Sequence, residues 1–118
     1  MATLQFGNQS KSYLDLLVRY GLNSPKSFAF EQITVDGAVK TLTVPADAKY
    51  AICVLESDAS SGSVARMLQN KSVPVSSTVG IPVNNGSIFE ISDYANLDGF
   101  QITEIASHTT VLNVEYFK

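Results

Sequence analysis

The sequence contains one cysteine, one histidine and no tryptophan in 118 residues. A single cysteine excludes an internal disulfide, and a transition-metal site requires several histidine or cysteine ligands. A hydrolytic triad needs a nucleophile, a base and an orienting group. His108 lies in a turn-like run, and Cys53 lies in an apolar run, where it is interpreted as a small buried hydrophobe. We therefore predict no catalytic residue, no cofactor and no enzymatic activity.

Charge is also scarce. Charged residues make up 16% of the chain and the net charge is −3, whereas soluble domains typically carry roughly 25% charged residues. The absence of a lysine or arginine run argues against direct nucleic-acid binding, and no apolar segment reaches the ~20 residues that cross a bilayer. The first ten residues lack the pattern of a signal peptide. Few charges with 45% hydrophobic residues indicate apolar surface that another protein covers.

One polar run invites comparison with a calcium site. Asp93, Asn96 and Asp98 occur in the stretch DYANLDG, but Ala95 and Leu97 stand where an EF-hand loop places alternate oxygen ligands. The run is interpreted as a polar loop, and no metal is predicted.

From Phe28 onward, short apolar runs alternate with turn residues at spacings of about 8–12 residues, a pattern typical of a β-sandwich or barrel. Asp36-Gly37 and Asn84-Asn85-Gly86 each separate two apolar runs, and both predict hairpins. Residues 49–56 are almost continuously apolar, as in a central strand. The fold class predicted is all-β: an antiparallel, jelly-roll-like sandwich of about seven or eight strands over residues 28–118.

Residues 1–27 form a separate N-terminal arm in this prediction. Its segment 11–22 (KSYLDLLVRYGL) favours one short helix that Ser10 or Ser12 caps and Gly21 ends. A helix that is apolar around most of its circumference requires burial on most sides. Three arrangements remain open: packing on its own sandwich, packing between subunits, or an extended segment. The residues predicted to bind a partner are Tyr13, Leu14, Leu16, Leu17 and Tyr20.

The stretch 45–117 resembles small virion structural proteins of tailed bacteriophages. The resemblance is carried by VPADAKYAICVLES, VARMLQNKSVP, TVGIPVNNGSIFEI, NLDGFQITEI and VLNVEYF, and it covers about 60% of the chain. Its motif positions are occupied here by Arg66, Pro74, Gly80, Pro82 and Gly86. Two residues depart from the pattern: Lys71 replaces the usual glycine, and Val75 replaces the usual threonine. These departures affect the expected shape of the turn and not the expected fold. The arm lies outside the resemblance.

The resemblance implies a noncatalytic virion protein that is made in the host cytoplasm and built into the particle. Its expected role is capsid decoration or cement, with the major capsid protein or other virion subunits as partners and with homo-oligomerisation expected from the symmetry of such particles. The alternatives are a component of a neck or tail ring, and a fibre-like module that binds carbohydrate or a host receptor. The carbohydrate alternative predicts exposed tyrosines clustered with acids or amides on one face.

Overall fold

The structure is a computed structural model, and it describes residues 26–118. The predicted arm, with its helix, lies outside these residues except for its last two positions. Within residues 26–118, nine elements follow in chain order: β1 (Ser27–Val35), β2 (Lys40–Thr41), β3 (Tyr50–Ser57), β4 (Ser63–Leu68), β5 (Ile81–Asn84), β6 (Ile88–Ser92), α1 (Tyr94–Gly99), β7 (Gln101–Glu104) and β8 (Thr110–Phe117).

The strands form two four-stranded antiparallel sheets. The first sheet has the order β1-β8-β3-β6 and the second has the order β2-β7-β4-β5. Within them the first strand pairs with the eighth, the second with the seventh, the third with the sixth and the fourth with the fifth. This is the strand order of a jelly roll, in which one long antiparallel ribbon is wrapped into two facing sheets. The predicted fold class is confirmed.

The core lies between the two sheets because alternate residues of each strand point inward. On β8 the inward positions are Leu112, Val114 and Tyr116, all at most 1% exposed. Ala51, Cys53 and Leu55 of β3 lie opposite them, and the core also contains Ile102 of β7 and Phe100, which lies between α1 and β7. The alternation of apolar and polar residues in the final strand therefore indicates its buried face correctly.

Both predicted hairpins are wrong. The turn at Asp36-Gly37 joins β1 of the first sheet to β2 of the second, and the turn at 84–86 joins β5 of the second sheet to β6 of the first. At the second turn, the Asn85 side chain accepts a hydrogen bond from the Ser57 amide at 3.0 Å, and the Gly86 amide donates to the Leu55 carbonyl at 2.8 Å. These bonds attach the turn to β3 of the first sheet. The chain therefore passes at this turn from the second sheet, which contains β5, to the first.

The predicted loop at 93–99 is a short helix instead. Leu97 and Gly99 are buried in α1, and a Cβ on Gly99 would lie 2.6 Å from the Gln69 carbonyl oxygen. The helix is held on the sandwich by this close approach and by the Leu97 side chain. Asp93 precedes it with a φ of 73°.

Candidate interaction surfaces

The predicted partner-binding residues Tyr13, Leu14, Leu16, Leu17 and Tyr20 precede the described range of 26–118. The contacts expected of them stay a prediction. Three features of the described sandwich bear on binding: the side of the first sheet turned away from the core, the long β4–β5 connection, and a carboxylate beside the core.

The first sheet is apolar on its outer face, which is the face directed away from the core. Tyr50 and Ile52 of β3 point to this side, and so do Phe117 of β8 and Ile88 of β6, which together form a cluster separate from the core. The Tyr50 and Phe117 rings stack, with centroids 4.8 Å apart and an interplanar angle of 4°. Ile52 is 1% exposed. A sheet with two apolar faces is typical of a sheet covered on both sides.

A groove of about 270 Å³ lies on the same outer face. Its lining residues are Phe30, Ile52, Val54, Asn113 and Glu115. Phe30 is 63% exposed, so its ring stands at the open side of the groove. A polar network borders the apolar floor: Asn113 accepts a hydrogen bond from Gln32 at 2.8 Å and donates one to Glu56 at 2.6 Å.

The outer face of the second sheet is covered by the β4–β5 connection, which spans residues 69–80. Gln101 of β7 points to this face and is 7% exposed. Its side-chain amide donates to the carbonyls of Asn70 and Val73 at 2.9 and 2.8 Å, and its oxygen accepts a hydrogen bond from the Val75 amide at 3.4 Å. One side chain thus satisfies three backbone groups, and it fixes the connection on the sheet.

Arg66 and Gly80 fix the far end of the same connection. The Arg66 guanidinium donates to the carbonyls of Ser77 and Gly80 at 3.0 and 2.8 Å. Gly80 has a φ of +132°, and a Cβ there would lie 2.8 Å from Cγ2 of Val75. Residues singled out by the sequence resemblance therefore meet in one braced turn. Their contacts are structural, because the arginine is bound to backbone carbonyls.

The braced connection presents aliphatic side chains to solvent. Val73 and Val79 are 43% and 44% exposed, and Ile81, the first residue of β5, is 57% exposed. Single exposed aliphatic residues are ordinary, and several on one braced segment make that segment a candidate interaction surface. Their exposure could be predicted from the sequence, because all three lie in a stretch that otherwise consists mainly of turn residues.

Cys53 and His108 lie in different environments. Cys53 faces the core and is fully buried. Burial, with a smaller contribution from the nearby Glu31 charge, raises the pKa of its thiol far above the ordinary value, so the thiolate needed for nucleophilic attack is suppressed. His108 is on the surface, where Nδ1 lies 3.3 Å from an Asp58 carboxylate oxygen. The predicted burial of the cysteine is confirmed.

Two of the three residues considered as calcium ligands, Asn96 and Asp98, have other partners. Asp98 forms an ion pair with Lys71 at 2.6 Å, and the Asn96 amide donates to the Ser92 carbonyl at 2.8 Å. Within residues 26–118 there is no group of three or more histidine, cysteine, aspartate or glutamate side chains placed to hold a metal ion.

Glu31 of β1 points inward at the margin of the core. Its carboxylate accepts hydrogen bonds from the Tyr116 hydroxyl and, at 2.9 Å, from the Thr43 amide. These bonds connect β1 with β8 and with the segment that follows β2. Burial, and then the hydrogen bond to Glu31, raise the pKa of Tyr116 far above 10.

Tyr116 is expected to stay protonated until the sandwich unfolds. Because its pKa is raised in the folded state, its contribution to stability is complete below the unfolded value of 10.0 and is lost as the pH rises above it. Ultraviolet absorbance of the phenolate and urea unfolding, followed from neutral to alkaline pH, measure both effects. Tyr116→Phe should flatten the alkaline loss of stability, whereas Tyr94→Phe, which alters an exposed ring, should leave it. An equal response of both variants would contradict this assignment.

The tyrosine cluster that carbohydrate binding predicts is not found in the described part of the chain. There, Tyr50 and Tyr116 are buried and Tyr94 is exposed at 47%. Between residues 26 and 118, no helix has the length and apolar character required to span a membrane.

Comparison with known proteins gives no relative from which a function can be transferred. The chain matches no protein-family model, no curated protein and no solved structure.

Proposed function

We propose that this protein is a noncatalytic structural protein of a tailed-bacteriophage particle, where it decorates or cements the capsid by binding the major capsid protein or other virion subunits. The jelly-roll strand order is the observation that carries the proposal, because this architecture recurs in viral capsid proteins. Fold alone does not imply function, and the proposal therefore also draws on the motif residues and on the exposed surface.

The motif residues support a structural role. Arg66, the only arginine among residues 26–118, is bound to two carbonyls of the β4–β5 connection. Gly80 is required because the end of the connection packs closely against the Val75 side chain and the Met67 carbonyl of β4. A rigid connection that presents Val73 and Val79, with Ile81 next to it at the start of β5, loses little conformational entropy when it binds a neighbour. In this proposal, the connection is the surface that contacts other virion subunits.

The number of copies of this protein per particle distinguishes a capsid position from a neck or tail position. A decoration protein follows the capsid lattice and occurs in on the order of hundreds of copies, whereas a neck or tail ring contains roughly a dozen. Quantitative mass spectrometry of purified particles, with the major capsid protein as the internal standard, distinguishes the two positions. Absence of the chain from purified particles would overturn the virion assignment.

Binding through the connection is tested by co-sedimentation of purified protein with particles that lack it. Replacing Val73 and Val79 together by serine should weaken co-sedimentation at least tenfold, which corresponds to about 1.4 kcal/mol. The matched control Phe30→Ser changes a side chain that is 63% exposed on the opposite sheet, and it should bind as the unmodified chain does. Equal binding by both variants would exclude the connection as the contact surface.

A further inference from the structure

The turn between β5 and β6 contains a dipeptide that is chemically reactive in flexible chains. Asn85-Gly86 is the only asparagine–glycine pair in the sequence. Because glycine has no Cβ, its amide nitrogen can approach the preceding side chain with less steric hindrance than that of any other residue. Both residues are exposed, so water can reach them. These properties make the pair a candidate site of spontaneous deamidation.

Deamidation at such a pair proceeds through a cyclic imide. The Gly86 amide nitrogen loses its proton and attacks Cγ of Asn85. The bond from Cγ to the side-chain nitrogen then breaks, and that nitrogen leaves as ammonia. Water adds to either imide carbonyl and opens the ring to aspartate or to isoaspartate, whose main chain runs through Cγ and is longer by a methylene group. The net change is the uptake of one water and the release of one ammonia, with no redox step.

The folded structure holds both reacting groups away from this reaction. The Gly86 amide donates to the Leu55 carbonyl at 2.8 Å, and Oδ1 of Asn85 accepts a hydrogen bond from the Ser57 amide at 3.0 Å. The attack needs a free amide nitrogen and a side chain that can rotate into line with it. Here the proton that must leave Gly86 is bound to β3, and so is the side chain that must rotate.

Three further hydrogen bonds brace the turn. The Ser87 amide donates to the Asn84 carbonyl at 3.1 Å, and the Asn84 amide donates to Oγ of Ser87 at 3.0 Å. The Leu55 amide donates to the Ser87 carbonyl at 2.9 Å. The residues on both sides of the reactive pair are thus held, and the pair is released when residues 84–87 detach from β3 together.

We propose that Asn85 is a deamidation site that the fold keeps closed, and that the modification occurs when residues 84–87 detach locally from β3. Aspartate at this position keeps a side-chain oxygen that can accept from the Ser57 amide. Isoaspartate disrupts the turn, because its longer main chain displaces the Gly86 amide from the Leu55 carbonyl. The modification is therefore a permanent covalent record of local opening. This inference does not depend on the virion role, since it concerns the isolated chain.

Mass spectrometry of the full chain, incubated at mildly alkaline pH, measures the rate of deamidation at Asn85. The rate in native buffer should be lower by at least about tenfold than in guanidinium chloride, where the same chain is unfolded; this factor corresponds to about 1.4 kcal/mol for the local opening. Hydrogen exchange of the Gly86 amide measures the same opening independently, and its protection factor should match the slowing of deamidation. Equal rates in the folded and unfolded chains would overturn the proposal, and so would a slowing unrelated to Gly86 protection.

A pair of serine variants tests the same opening without denaturant. Ser87→Ala removes the Oγ that accepts the hydrogen bond of the Asn84 amide, so the turn should detach more often and deamidation at Asn85 should become severalfold faster. The matched control Ser92→Ala changes an exposed serine at the far end of β6, and it should leave the rate unchanged. Equal rates in the two variants would refute the role of the turn. These measurements need no particles, so their outcome is separate from that of co-sedimentation.

Discussion

Replacing Gln101 by glutamate is expected to lower the free energy of unfolding by about 2–4 kcal/mol, because a buried donor to two carbonyls is lost. The side-chain amide of Gln101 donates to the Asn70 and Val73 carbonyls, and glutamate places an oxygen against both of them. The substitution changes neither length nor shape, so packing is not the cause. Urea unfolding at neutral pH measures the loss.

Gln32→Glu is the matched control for this prediction. Gln32 donates to Asn113 at 2.8 Å in an exposed position, where water replaces a lost partner, and the change should be within about 0.5 kcal/mol. Hydrogen exchange adds a local readout, since the Val75 amide donates to Gln101 and should exchange faster in Gln101→Glu. Equal stability of the two variants would mean that Gln101 does not anchor the connection.

Gly80→Ala is expected to destabilise the sandwich by about 2–4 kcal/mol, since it combines backbone strain with overpacking. The φ of +132° is a conformation that residues with a side chain rarely adopt, and the new Cβ would lie 2.8 Å from Cγ2 of Val75 and 3.1 Å from the Met67 carbonyl oxygen. The backbone atom yields less readily than the side chain. Thermal and urea unfolding give the magnitude.

Two further variants separate the two causes at Gly80. Gly62 has a φ of +80° with nothing within 4 Å of an added Cβ, so Gly62→Ala reports strain alone, at about 1 kcal/mol. Combining Gly80→Ala with Val75→Ala removes the side-chain clash and should cost less than the sum of the single changes. Strict additivity would show that Val75 is not the obstacle.

The sequence predicts the fold class because its periodicity reports burial directly. The alternation of Leu112, Val114 and Tyr116 with polar residues marks a strand with one core-facing side, and the continuous apolar run through Ile52 marks a strand covered on both sides. Each of these signals is local, and each depends only on which face of a strand meets water.

Which strands pair with each other depends on residues far apart in the sequence, and for this reason the predicted hairpins are wrong. A turn at Asp36-Gly37 is compatible with a hairpin and with a crossing between sheets, and the choice is made by β8, which pairs with β1 over more than seventy intervening residues. The role of Gln101 is hidden for the same reason. A polar residue in a strand predicts a solvent-facing position, and only the fold brings the β4–β5 connection over it.

The pairing of the first strand with the last has a consequence for how this protein folds during synthesis. β8 lies between β1 and β3, so the first sheet has no centre until residues 110–117 have left the ribosome. Until then, β1 and β3 expose apolar side chains and unpaired edges, as chains with long-range strand pairing do. The sandwich therefore assembles only after residues 110–117 are available, and shorter nascent chains are the species in which aggregation competes with its assembly.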